Sequence, residues 1–365
     1  MTADDRRARL DAAMTARGLD TILVYGNAWQ GDYLRYVADF GVLEGQGLAI
    51  VDRAGNVTLY LDSPLEVDRA HVETPDLTVV HAPNLVADVV AALTRAGNRQ
   101  TGAAPFAFLP RALAHSDAGR RISDETSFID DLLMVKGPSE IAAMRKAAKM
   151  ADEGYAVFRA AAREGRADYE LIAEVEAFYR RQGVDDNFMI IGVGGPEVRG
   201  MAPPMGKKLK KGDLVTTELT PCVEGYYAQI CRTLVVGEAN EEQKTCFALY
   251  RDALEAGIAV VKPGVKAADI ARAENDVFRS HGLGDYVTSE YTRVRGHGLG
   301  LFPDTKPHIL EDVETEIVAG MTLIVHPNTY HPVVGYFVLG DALVVTPSGA
   351  DVLTGTPRAL FAVGG

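Results

Sequence analysis

Residues 138–350 alternate helix-length amphipathic segments with short strand-like runs, and this alternation restricts the fold more than any other feature of the chain. Pro138 opens the first segment, with Ser139 as the expected N-cap. Ile141, Met144, Ala148 and Met150–Ala151 then recur at helical spacing. Further helices are expected over 167–183, 241–264 and 266–282. FMIIGVGG, DLVTTEL, AQICRTLVVG, TLIVHP and ALVVTPS fall between and after them and read as strands. Helices mixed with antiparallel hairpins give an α+β architecture, expected over residues 131–365.

A chain of 365 residues is longer than one hydrophobic core usually serves, so a second domain is expected before it. Residues 1–16 read as an amphipathic helix that ends near Gly18. TILVYG (21–26) reads as a strand. Residues 47–62 form a hairpin turned at Asp52–Asn56, and a strand (77–82) leads into a helix (84–96). The expectation is a small α/β domain over residues 1–130.

The formal net charge of −13 argues against a nucleic-acid partner, which needs a basic face. The basic run Lys207-Lys208-Leu209-Lys210-Lys211 reads as a solvated turn. Three cysteines, Cys222, Cys231 and Cys246, without CxxC or Cys/His zinc spacing fit a reducing cytoplasm. The N-terminal stretch mixes acids with arginines and lacks the apolar run of a signal peptide. No segment approaches the ~20 apolar residues of a membrane span.

The stretch VTTELTPCVEGYYAQICRT (215–233) reads as a β-hairpin. It sets a carboxylate, Glu218, among Val215, Leu219 and Val223, where a charge is costly without a partner. Gln229 is expected to face it from the second strand.

Five segments, LLMVKGPSEIAAMRKAAKMADEG, KKGDLVTTELTPCVEGYYAQICRTLVVG, VKPGVKAADI, RGHGLGL and GMTLIVHPNTY, resemble, in order, the creatinase, prolidase and aminopeptidase P family over roughly residues 5–350. The resemblance implies a C-terminal "pita-bread" domain behind a smaller α/β domain, usually in a homodimer. The family's peptidases hold two metal ions with two aspartates, a histidine and two glutamates. Here those positions are Glu218, Gln229, His297, His326 and Gly340, and a second peptidase histidine falls on Asp304. Two dications held close together need several anionic oxygens, so this set does not suit them. The expectation is therefore no cofactor and no bound metal. The chain is similar to creatinase, the family's metal-independent branch. That implies a hydrolase acting on a C–N bond of a small polar, carboxylated compound.

His297, between two glycines in VRGHGLGL, is suited to shuttle a proton near neutral pH. Glu218 and His326 join it as catalytic candidates. Gln229, Tyr226, Tyr227, Arg199, Arg295, Asp304 and Trp29 are candidate substrate contacts, the arginines as carboxylate clamps. Each has a bland counterpart: a core histidine bonded to a carbonyl, a packed tyrosine, a structural salt bridge. Cys231 reads as a buried apolar residue, and Asp341 as a partner for Arg232. Two other functions fit the residues. One is a single-metal enzyme using Glu218, His297 and His326, or an Xaa-Pro-peptidase-like hydrolase; the other is a non-catalytic pseudo-peptidase that binds a ligand.

Overall fold

The computed structural model describes residues 3–364, so Met1 and Thr2 of the expected first helix lie outside the described residues. The chain divides into two compact units, Met1–Leu133 and Met134–Gly365.

The first unit is built on a six-stranded sheet in the order Thr78–His81, Val57–Leu61, Gln46–Asp52, Thr21–Asn27, Thr101–Ala104, Ser123–Asp124. Its central strands pair antiparallel, with Thr21 opposite Asp52 and Gly47 opposite Leu61, while the outer strands add in parallel. Residues 57–61 alternate buried and half-buried, as a strand with one face on a core should. Leu23, Leu48, Val89 and Leu93 belong to that core, and the helix Leu85–Ala96 is capped by the Asn84 side chain. The helices Asp32–Ala38 and Pro64–Glu73 were not legible in the sequence. Each spans too few turns for its apolar spacing to stand out.

In the second unit, strands Thr305–His308, Gly296–Gly298, Thr322–Val325, Gly340–Thr346, Ile230–Val236, Leu214–Val223 and Asp186–Gly194 lie side by side in that order. Successive neighbours are antiparallel. Every residue of Ile230–Val236 is buried, Arg232 and Thr233 included, so both faces of this strand are covered. The helices Pro138–Ala161 and Asp168–Arg181 cover one core with Tyr155, Phe158, Val175, Leu219 and Leu234. Glu241–Val260 and Ala267–Ser280 cover another with Leu254, Ile270, Leu323 and Leu343.

Two local expectations are corrected. The N-cap of Pro138–Ala161 is Gly137, not Ser139, because Pro138 takes the first helical position and the Glu140 carboxylate accepts the Gly137 N–H at 2.8 Å. In the 214–236 hairpin the residue opposite Glu218 is Cys231, not Gln229. Gln229 lies two positions along, on the same face of its strand. The lysines of the 207–211 run are exposed around a buried Leu209, as a solvated turn should be. Among the described residues no helix is long and apolar enough to cross a membrane.

Candidate active site

Three strands of the large sheet bring one side chain each to a cavity of about 450 Å³: Glu218 from Leu214–Val223, His297 from Gly296–Gly298, and His326 just after Thr322–Val325. Arg199, Asn328, Tyr336 and the segment 289–294 complete its walls.

The glycines around His297 have a steric cause. A Cβ at Gly296 would collide with the Ile324 carbonyl, and one at Gly298 with the Lys306 carbonyl. The strand therefore fits between its two neighbours only with glycine on both sides of the histidine. His297 Nδ1 lies 3.0 Å from the Gly298 carbonyl oxygen, which can only accept, so Nδ1 carries the hydrogen and Nε2 keeps its lone pair. Burial holds the His297 pKa below its ordinary value, although Asp304, 3.8 Å from Nδ1, pulls it up. His326 is driven further, to about 3, by burial and then by the neighbouring His297. Among the described residues its buried Nδ1 has no hydrogen-bond partner. Both imidazoles are thus neutral at physiological pH.

Glu218 faces the cavity, and burial pushes its pKa up to about 7. The Cys231 thiol and the Asn328 amide, whose Nδ2 donates to Oε1 at 2.8 Å, work against that rise. The carboxyl is therefore divided between its two protonation states near neutral pH, as an acid–base group needs.

Arg199 follows the strand Asp186–Gly194 and is exposed. Its guanidinium lies 5.2 Å from the Tyr330 ring centre and 5.6 Å from that of Tyr291, which are stacked on each other. Among the described residues it has no carboxylate partner, so its planar fork is available at the cavity wall.

The other expected contacts are placed elsewhere. Arg295 is 1% exposed and points inward, its Nη1 donating to the Asn328 carbonyl, so it is no substrate clamp. Tyr226 is buried and donates its hydroxyl to Glu140 at 3.0 Å, outside the cavity walls. Tyr227 points to the outer end of the hairpin and donates to Asp186. Gln229 is buried with its amide 3.7 Å from Cys231 Sγ, also off the wall. Asp304 stands behind His297, accepting from His308 at 3.0 Å and pairing with Arg293. Trp29 is 92% exposed on the first unit. Asp341 pairs with the fully buried Arg232 at 2.7 Å. Sequence reasoning missed Asn328 as a carboxylate partner and Tyr291 and Tyr330 as an arginine platform. Asn328 sits one residue past the His326–Pro327 pair, the only local signal it had.

Residues 142–347 match the family model described as metallopeptidase family M24. The chain belongs to the M24 family. It is 30% identical over 237 residues to the Xaa-Pro dipeptidase of Pyrococcus furiosus, covering 64% of this chain and 66% of that protein. It is 25% identical over 352 residues to the uncharacterized peptidase YqhT of Bacillus subtilis, 94% of this chain and 96% of that one. The solved prolidase from Pyrococcus furiosus superposes with a TM-score of 0.83 at 26% identity over 95% of this chain and all of that one. The fold is the mixed α/β pita-bread fold of the prolidases.

The paired metal ions that the M24 peptidase pattern implies do not fit the residues here. At Gly340 a Cβ would stand 2.6 Å from the His326 Cβ and 3.0 Å from the Val325 carbonyl oxygen, so a glutamate has no room. Gln229 supplies a neutral amide turned toward a thiol. One carboxylate and two imidazoles with depressed pKa values are a poor counter-charge for two dications. Among the described residues no three His, Cys, Asp or Glu side chains are grouped closely enough to share one cation.

Proposed function

We propose that this M24 protein is a metal-independent hydrolase of a C–N bond in a small, polar, carboxylated compound. The observation that carries the reading is the donor set of the cavity: one carboxyl titrating near neutrality beside two neutral imidazoles. His297 Nε2 takes a proton from water, and the hydroxide formed attacks the carbon of the C–N bond. The protonated fraction of Glu218 gives a proton to the leaving nitrogen as that bond breaks, and the His297 proton returns to the carboxylate side through solvent. One water is consumed, and an acid and an amine are released. His326 packs edge-on against His297 and keeps water and charge from its ring face. Arg199 pairs with the substrate carboxylate.

The experiment is turnover of a panel of N-acyl amino acids, ureido acids, guanidino acids and Xaa-Pro dipeptides, read as amine or ammonia release, before and after exhaustive chelation. Metal content is measured on the same samples. Turnover that survives chelation at well under one metal per chain is expected. Turnover lost on chelation and restored by one ion per chain supports the single-metal reading, and restoration by two supports an ordinary peptidase.

A further inference from the structure

The turn His326–Pro327–Asn328 joins two of the cavity's groups, and it is held from behind. Asn328 is 2% exposed and every polar atom it has is engaged. Its N–H donates to the His326 carbonyl at 2.7 Å, and its own carbonyl accepts from Arg295 Nη1 at 3.0 Å. Oδ1 accepts the Leu339 N–H at 3.1 Å. Because a backbone N–H fixes Oδ1, the amide cannot flip, and Nδ2 must face Glu218.

Arg295 grips the same turn twice. Its side chain bonds the Asn328 carbonyl, and its backbone carbonyl accepts the His326 N–H at 3.0 Å. A guanidinium this buried is costly, and its side-chain neighbours on that side come from a single helix, Ala267–Ser280. Asn275 Oδ1 accepts from Nε and the Phe278 ring lies 5.2 Å beneath the guanidinium; Glu274 lies near but burial pushes its own pKa well up. The facing helix makes room with Gly257, where a Cβ would stand 2.6 Å from Glu274 Oε1. None of Glu274, Asn275 and Arg295 lines the cavity, whereas Asn328 does.

We infer that Arg295 and Asn328 are positioning residues: Arg295 clamps the 326–328 turn from behind, and Asn328 thereby aims its amide to hold the Glu218 carboxyl in place. The assignment rests on the reading of Glu218 as the cavity's acid. It explains an arginine that lies off the cavity wall and is 1% exposed. It also explains why a lone carboxyl keeps one orientation: the amide takes one oxygen, and Cys231 stands directly across the strand pair.

The test is a set of crystal structures of wild type, Asn328→Ala, Asn328→Leu and Arg295→Lys at one pH, with melting temperatures and, on a substrate found in the panel, kcat and KM. In both Asn328 variants the Glu218 carboxyl is expected to move by more than about 0.5 Å, the tolerance of a working site. With that movement kcat should fall at least about tenfold and KM should change little, the signature of a lost orientation. In Arg295→Lys the ammonium cannot reproduce the fork, so the turn and Glu218 should shift together. Glu218 staying in place in a folded Asn328 variant overturns the inference. So does failure of both Asn328 variants to fold, which makes the residue structural. The crystallographic readout needs no substrate. If Glu218 moves while Glu218→Gln turns over normally, the positioning holds and the proposed function fails.

Discussion

The imidazoles of His297 and His326 meet edge to face, their centroids 5.5 Å apart at an angle of 70°. Two buried rings this close cannot both be protonated at modest cost, and His297 adds to the burial that depresses the His326 pKa. His297 is kept a neutral base by its own burial, and His326 carries an acid-sensitive contribution to stability.

His297→Asn should fold like the wild type, since asparagine keeps a polar group in less volume. Loss of a positioned base typically costs on the order of 100- to 10,000-fold in rate. Steady-state turnover alongside circular dichroism checks this. A variant retaining more than about a tenth of wild-type turnover lies above that range and removes His297 as the base.

The His326 pKa falls from an ordinary 6.5 to about 3 in the folded protein. A depressed folded pKa means the unfolded chain binds the proton first. The stability contribution is therefore complete above pH 6.5 and is lost as pH drops toward 3, by at most about 1.4 kcal/mol per pH unit. Glu218 has the opposite sign, because its folded pKa is raised from 4.5 to about 7. Its penalty grows as pH rises across that window. Denaturant titrations at several pH values should show His326→Gln flattening the acid limb, and Glu218→Gln gaining stability relative to wild type above pH 7. Unchanged acid limbs in His326→Gln would show that other groups govern it.

Arg199→Ala should raise KM for a carboxylated substrate by roughly 10- to 100-fold, the worth of a charge-assisted hydrogen bond. It should leave KM for the corresponding primary amide within about twofold, since no ion pair is lost there. Arg199→Lys should recover only part of the effect, because an ammonium lacks the planar fork. Equal losses for acid and amide would point to a packing role on Tyr291 and Tyr330 instead.

The family resemblance implies a homodimer, and the first unit exposes Trp29 at 92%, Leu43 at 72% and Leu65 at 67%. We expect a homodimer, read by light scattering as twice the 39.2 kDa chain mass, and a weaker one in Trp29→Ala. A 39.2 kDa species at micromolar concentration would count against it.

The long helices of the second unit, its hairpins and the Gly-His-Gly segment were legible in the linear sequence, because helical period, strand length and glycine are local properties. The same holds for the chemistry of the positions that lost their acids, since Gln229 and Gly340 declare themselves by residue type alone. Which groups share the cavity was not local. Glu218 and Asn328 meet across 110 positions of chain, and sheet pairing, not spacing, brings them together. Register put Cys231 rather than Gln229 opposite Glu218, and a slip of two residues keeps the same face, so the alternating pattern could not tell them apart. Arg295 looked like a clamp for a ligand because it stands in a glycine-flanked segment beside His297 and its planar fork suits a carboxylate. Only the packed structure, with Asn275 and Phe278 of the helix Ala267–Ser280 on one side and the Asn328 carbonyl on the other, turns the arginine inward. Desolvation is a property of all the neighbours at once. Sequence therefore determined which titratable groups this protein has, and tertiary structure decided which of them are neutral.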